Sequence, residues 1–121
     1  MLPNRRQLVG KLGETKAGEY LVRNGYQIIE KNFRTRYGEI DIIAKDGNDL
    51  VFVEVRSRST KSFGAPEESI TAKKQLKIKN LAQYYLQVHN LNRVNCRFDV
   101  VVINFNRNGK LERLNHIRSA F

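Results

Sequence analysis

With 121 residues, 40% of them hydrophobic, the chain can build one core but not two, so residues 1–121 are expected to form a single domain. Lysine and arginine number 22 against 12 aspartates and glutamates, and the resulting +10 favours polyanionic partners, nucleic acid above all, through release of condensed counterions. The lone Cys96 excludes an internal disulfide and a cysteine metal cluster; with no long apolar run and no signal-peptide stretch in Met1 to Gly10, a reducing cytoplasmic setting without membrane partners is expected.

In chain order, the pattern from about Arg5 to Asn24 is helical. Gly10, Glu14, Ala17 and Leu21 share one face, with Leu8, Leu12 and Tyr20 beside it, and Asn24-Gly25 supplies the stop. Tyr26 to Phe33 reads as a strand of imperfect alternation. Glu39 to Lys45 and Leu50 to Arg56 read as two strands flanking the hairpin turn Asp46-Gly47-Asn48-Asp49. Ser59 to Pro66 is a polar loop. Thr71 or Ser69 caps a helix running to about His89, with Ile78, Leu81, Ala82 and Tyr85 toward the core. Phe98 to Phe105 is nearly all apolar, as befits a central strand covered on both faces, and Leu111 to Ile117 adds an edge strand. This order implies an α/β fold with a mixed sheet.

The hairpin turn sets a register. Opposed residues sum to 95, pairing Ile40 with Val55, Ile42 with Val53 and Ala44 with Val51 on one apolar face. The other face pairs Ile43 with Phe52 and then Asp41 with Glu54. Like charges directly opposed destabilise a sheet, and carboxylates within apolar strands need compensation. A divalent cation such as Mg²⁺ is the simplest candidate, because hard cations prefer oxygen ligands. The alternatives are neutralisation by arginine or a shared proton; Arg56 lies on Glu54's face and opposite Glu39. Glu14, on the core-facing helical stripe, is a further candidate partner of the site, unless it reaches water or pairs with a basic residue.

Basic residues collect around the same end of the hairpin. Arg34, Arg36 and Tyr37 lead into the first carboxylate strand, Arg56, Arg58 and Lys61 leave the second, and Lys73, Lys74, Lys77 and Lys79 begin the following helix. Arg34, Arg36, Arg58 and Lys73 are candidates for holding phosphates, or else solvated surface charge. His89 and His116 are isolated and read as structural or exposed.

Gly38-Glu39-Ile40-Asp41, followed after twelve residues by Glu54-Val55-Arg56, resembles the Asp…(Asp/Glu)-x-Lys signature of the restriction-endonuclease-like fold. The stretches GKLGETKA, NGYQIIEKNFRTRYGEIDII, LVFVEVRSR, FGAPEESITAKKQ and FDVVVI, with terminal Ala120-Phe121, resemble the YraN-like family of uncharacterised bacterial proteins, relatives of Holliday-junction resolvases. The resemblance implies an αβββαβ core with helices flanking a mixed sheet. It implies a metal site for Mg²⁺ or Mn²⁺ made by Asp41, Glu54 and the Val55 carbonyl, with Glu14 close by, and places Lys74 or Gln75 toward that site. It further implies a metal-dependent endonuclease acting on DNA, branched DNA included, as a homodimer. The departure is Arg56, where the signature carries lysine. Lysine can move a proton, whereas arginine stays charged and can only hold phosphate or stabilise charge. A nucleic-acid-binding module that cuts nothing is therefore the alternative, and a ribosome-associated protein a third reading.

Overall fold

In the computed structural model, which describes residues 4–59 and 70–121, the chain begins with α1 (Arg5–Arg23). Its first turn is closed by a capping box: the Asn4 side chain accepts the Gln7 N–H at 2.8 Å, and Gln7 Oε1 accepts the Asn4 N–H at 3.0 Å. Then come β1 (Gln27–Thr35), β2 (Gly38–Asp46), β3 (Asp49–Arg58), α2 (Ala72–Val88), β4 (Asn95–Phe105) and β5 (Leu111–Ile117). Thr71 caps α2, accepting the Lys74 N–H at 3.1 Å. The other candidate cap, Ser69, together with Lys61 and most of the polar loop, lies outside the described residues.

All five strands form one sheet in chain order, β1-β2-β3-β4-β5. Neighbours are antiparallel except β3 and β4, which run parallel and so require the crossover that contains α2. The helices lie on opposite faces. Ala17 and Leu21 of α1 pack on Ile42, Ala44, Val51, Val53, Val101 and Ile103. Leu81, Ala82 and Tyr85 of α2 pack on Ile40, Ile43, Leu50 and Phe52. Val100 and Val102 face a smaller cluster with Ile70, Ile117 and Phe121, so β4 is buried on both sides as its composition demands. The stripe of α1 is rotated from the one read in the sequence. Gly13 and Gly18 are buried with Ala17 and Leu21, while Leu8 and Leu12 are exposed. Gly13 is needed for this approach, since a Cβ there would collide with the side chain of Ser57.

The hairpin register runs as expected from Asp46–Asp49 through Ile42–Val53. There it ends, one pair short of Asp41 and Glu54. Ile40 consequently packs on the α2 face with Ile43 and Phe52, rather than opposite Val55 on the α1 face. In β1, whose register with β2 is unchanged from Lys31–Ile42 to Phe33–Ile40, the intervening Asn32 has a left-handed φ of 55°. Ile40 and Ile42, on either side of Asp41, face opposite sides of the sheet.

Candidate metal centre in an arginine-rimmed cleft

The Asp41 carboxylate takes over where the ladder stops. Its Oδ2 accepts the Val55 N–H at 2.8 Å, so a strand donor is spent on a side chain. Glu14 from α1 and Glu39 from β2 converge on it: one carboxylate oxygen from each of Glu14, Glu39 and Asp41 lies within 4.8 Å of the others. Asn32, with its amide nitrogen turned toward the carboxylates, donates to Glu39 Oε1 at 2.7 Å and to Glu14 Oε1 at 2.9 Å. Its left-handed backbone is what aims the amide at both.

Glu54, almost fully buried, sits against this group but bonds elsewhere: Lys74 Nζ lies 2.8 Å from its Oε1. Arg34 Nε is 2.8 Å from Glu39 Oε2. Glu54 and Glu39 are thus paired with Lys74 and Arg34, while Asp41 sits among Glu14, Glu39 and Glu54. The imbalance is felt by Asp41. Burial and the neighbouring Glu54 push its pKa up to about 7 against the pull of the Val55 N–H, and Glu14 and Glu39 add to the rise. Glu14 is raised as well, by burial and then Glu39, with Asn32, Arg34 and Lys31 opposing. Glu14, Asp41 and Glu54 line a cleft of about 760 Å³ whose rim carries Arg5, Arg6 and Arg58.

The alternative of neutralisation by Arg56 finds no ion pair: the ladder ends before Arg56 would oppose Glu39, and among the described residues no ion pair joins Arg56 to Glu39 or Glu54. Arg58 lines the cleft. Arg36 stacks over Tyr37 with its guanidinium carbon 5.4 Å from the ring centre, in a separate groove. Lys73 is exposed on α2, and Gln75 donates to the Ile70 carbonyl at 3.2 Å. Glu39 is the member that sequence reasoning assigned elsewhere, although its spacing two residues before Asp41 on a strand carried the signal. Asn32 had only the imperfect alternation of its strand as a clue.

A second buried carboxylate contrasts with the first. Asp99 is fully buried and accepts from Arg97 Nε at 3.0 Å, His116 Nε2 at 2.8 Å and the Ser119 N–H at 3.0 Å. Burial alone would raise its pKa, but the bonds from His116, Arg97 and Ser119 prevail and hold it below the usual carboxylate value. Because a carboxylate only accepts, His116 donates from Nε2, and its Nδ1 lies 3.0 Å from the Tyr20 hydroxyl. His116 is thus a buried structural residue tying β5 to β4 and α1. His89 is exposed, with Nδ1 3.0 Å from the Tyr85 carbonyl oxygen.

A mixed sheet with a helix on each face, carrying carboxylates where β2 and β3 part, is the restriction-endonuclease-like core. Residues 13–103 match the uncharacterised protein family UPF0102. The chain belongs to that family, the YraN-like one that its sequence resembles. It is 42% identical to a UPF0102 protein of Moorella thermoacetica over 96% of this chain and 97% of the relative. A UPF0102 protein of Thermodesulfovibrio yellowstonii is 48% identical over 93% and 95% respectively. One from Syntrophus aciditrophicus is 46% identical over 93% and 87%. No helix among the described residues is long and apolar enough to cross a membrane.

Proposed function

We propose that the protein is a cytoplasmic nucleic-acid-binding protein that hydrolyses DNA phosphodiester bonds as a divalent-metal-dependent endonuclease. The observation that carries this reading is the under-neutralised cluster of Glu14, Glu39 and Asp41, beside Glu54, under an arginine rim. The donor set suits Mg²⁺ or Mn²⁺. All its ligand atoms are carboxylate oxygens, they lie close enough to share one ion, and no ion pair joins Asp41 to a cation among the described residues. Asp41, Glu14 and Glu39 would hold the ion, with Glu54 and the Val55 carbonyl adjacent. Bound there, a divalent ion supplies a Lewis acid for the scissile phosphate and an acidified water.

The remaining work falls to the chain's own groups. Arg5, Arg6 and Arg58 receive phosphates flanking the scissile one, since guanidinium groups match phosphate oxygens in pairs. Val55 fixes the orientation of Asp41 through its N–H. Lys74 occupies, from α2, the neighbourhood of Glu54 that the signature lysine would serve from position 56. The test is cleavage of linear, flapped and four-way DNA with Mg²⁺ or Mn²⁺. Metal-dependent scission abolished by Asp41→Asn supports the reading, and no scission of any substrate by folded protein overturns it. Arg56 in place of lysine favours a second reading, in which the cleft binds nucleic acid without cutting it. That reading expects salt-dependent binding with no product.

A further inference from the structure

A second cavity, of about 730 Å³, lies between the β1–β2 turn and the outer face of α2. Its chemistry is the reverse of the first. Among the described residues, no carboxylate lines it. Its walls are apolar or aromatic, from Phe33, Tyr37, Tyr84 and Val88, and its charges are cationic, from Arg36 and Lys77. Two of these rings are held out toward solvent: Tyr37 is 70% exposed and Tyr84 50%. Phe33 and Tyr84 lie at a 35° tilt, centres 6.3 Å apart, forming a continuous aromatic wall. Gly38 shapes the junction: with φ of 148° it lets Lys77 and Leu81 come close enough that a Cβ would meet Lys77 Cε at 2.8 Å.

We propose that this groove takes an unpaired nucleotide, its base stacked on the exposed tyrosine rings and its phosphates held by Arg36 and Lys77. An aromatic wall with cations and no acid suits a ligand that is flat, apolar on its faces and anionic at its edge, and a nucleotide is all three. Arg36 already lies over the Tyr37 ring, which makes a combined stacking and phosphate contact at one point. A second copy of this chain fits poorly, because a two-fold contact through the groove would bring Arg34, Arg36 and Lys77 of both copies face to face. Arg34 connects the two cavities, since it lines the groove and binds Glu39 of the carboxylate cluster at 2.8 Å. The inference rests on the nucleic-acid reading and deepens it: the preferred substrate carries a single-stranded segment next to the strand presented to the cleft.

The experiment compares a labelled single-stranded oligonucleotide with the duplex of the same sequence, by fluorescence anisotropy at one salt concentration with a chelator present. The proteins are the wild type, Tyr37→Ala with Tyr84→Ala, and Tyr84→Phe. Both tyrosines are largely exposed, so the variants leave the core intact, and matching melting curves verify this. The double variant is expected to lose about tenfold in single-strand affinity while duplex affinity holds, and Tyr84→Phe to bind as the wild type does. Duplex binding with single-strand affinity unmoved by the double variant overturns the groove assignment and leaves the broader reading standing. Binding of neither probe by the wild type overturns both. A wild-type dimer in sedimentation that the double variant dissociates overturns the proposal by assigning the groove to a second copy.

Discussion

Replacing Asp41 with asparagine isolates the electrostatics of the cluster, because the amide oxygen can still accept the Val55 N–H at nearly unchanged geometry. In metal-free protein, burial first and then Glu54, Glu14 and Glu39 carry the Asp41 carboxyl from 3.8 to about 7. At about 1.4 kcal/mol for each tenfold change in proton affinity, a rise of that size corresponds to roughly 4 kcal/mol. The folded value lies above the unfolded one, so the folded state holds the proton after the unfolded chain has lost it. The contribution is complete below pH 3.8, drains away as pH rises to about 7, and is absent beyond. The asparagine variant has no proton to lose, and its advantage grows across that window. Solvent access to the cleft screens part of the effect, leaving about 1–3 kcal/mol at pH 8, or roughly 5–10 °C in melting temperature. Thermal unfolding followed by circular dichroism, with chelator at pH 4.5 and at pH 8, measures both ends. Without chelator, Mn²⁺ at a hundred times its Kd should stabilise the wild type by about 2.7 kcal/mol and the variant far less. A variant no more stable than the wild type at pH 8 in chelator would refute the account of an under-neutralised cluster.

Lys74→Ala removes the ammonium 2.8 Å from Glu54, so by calorimetry it should bind Mn²⁺ about tenfold more tightly while cleavage falls; unchanged affinity would separate Lys74 from the metal site. Arg56→Ala should cost about a hundredfold in cleavage rate and Arg56→Lys should retain or raise it, measured on protein shown to be folded, because only a charge near the phosphate is at stake. Arg5→Ala with Arg6→Ala should lower the slope of log affinity against log salt by about 2 in duplex DNA titrations, and an unaltered slope would remove both from the phosphate path. Asp99→Asn should cost about 3–5 kcal/mol in urea unfolding at neutral pH, since it uncouples Arg97 and His116 in a buried network. The folded pKa of Asp99 lies below the unfolded value, so its contribution is present above pH 3.8 and lost as pH falls further; the wild type should therefore approach the variant in strong acid.

The hairpin was legible in the sequence because its apolar residues leave one register. Ile42, Ala44, Val51 and Val53 share a face only if Asp46 meets Asp49, and a slip of one residue would expose all four. The core face of α2 was legible for the same reason, with Ile78, Leu81, Ala82 and Tyr85 at helical spacing. What could not be read was where the ladder stops. Period-two counting carries the pairing through to Ile40–Val55, but the ladder ends at Ile42–Val53, where Asp41 takes the Val55 N–H with its side chain beside a left-handed Asn32 on the neighbouring strand. Asparagine tolerates that backbone, yet nothing local requires it; the requirement comes from the contacts its amide makes with Glu14 and Glu39. The register position of Arg56 opposite Glu39 depends on the same extended ladder and is not formed. The bond between Asp99 and His116 joins residues seventeen apart on adjacent strands, and it is readable only once Val101 is known to face His116.

Two aspartates, Asp99 fully buried and Asp41 half-buried, separate structure from chemistry within one sheet. Both lie in strongly apolar strands, and composition alone treats them alike. Asp99 is surrounded by donors from an arginine, a histidine and a backbone N–H, and its charge is more stable inside the protein than out. Asp41 has one N–H and three carboxylate neighbours, and its charge is less stable inside. A fold selected for stability alone would have no reason to keep the second arrangement, since an amide at position 41 could hold the Val55 N–H without the repulsion. Groups whose pKa is displaced by burial and like charge at the floor of a cleft are where binding of a cation returns the most free energy. The surroundings of Asp41, more than the match to a signature, support the proposed site there, and the opposite response of the two asparagine variants is the sharpest discriminator: stabilisation at Asp41 and destabilisation at Asp99, in the same protein at the same pH.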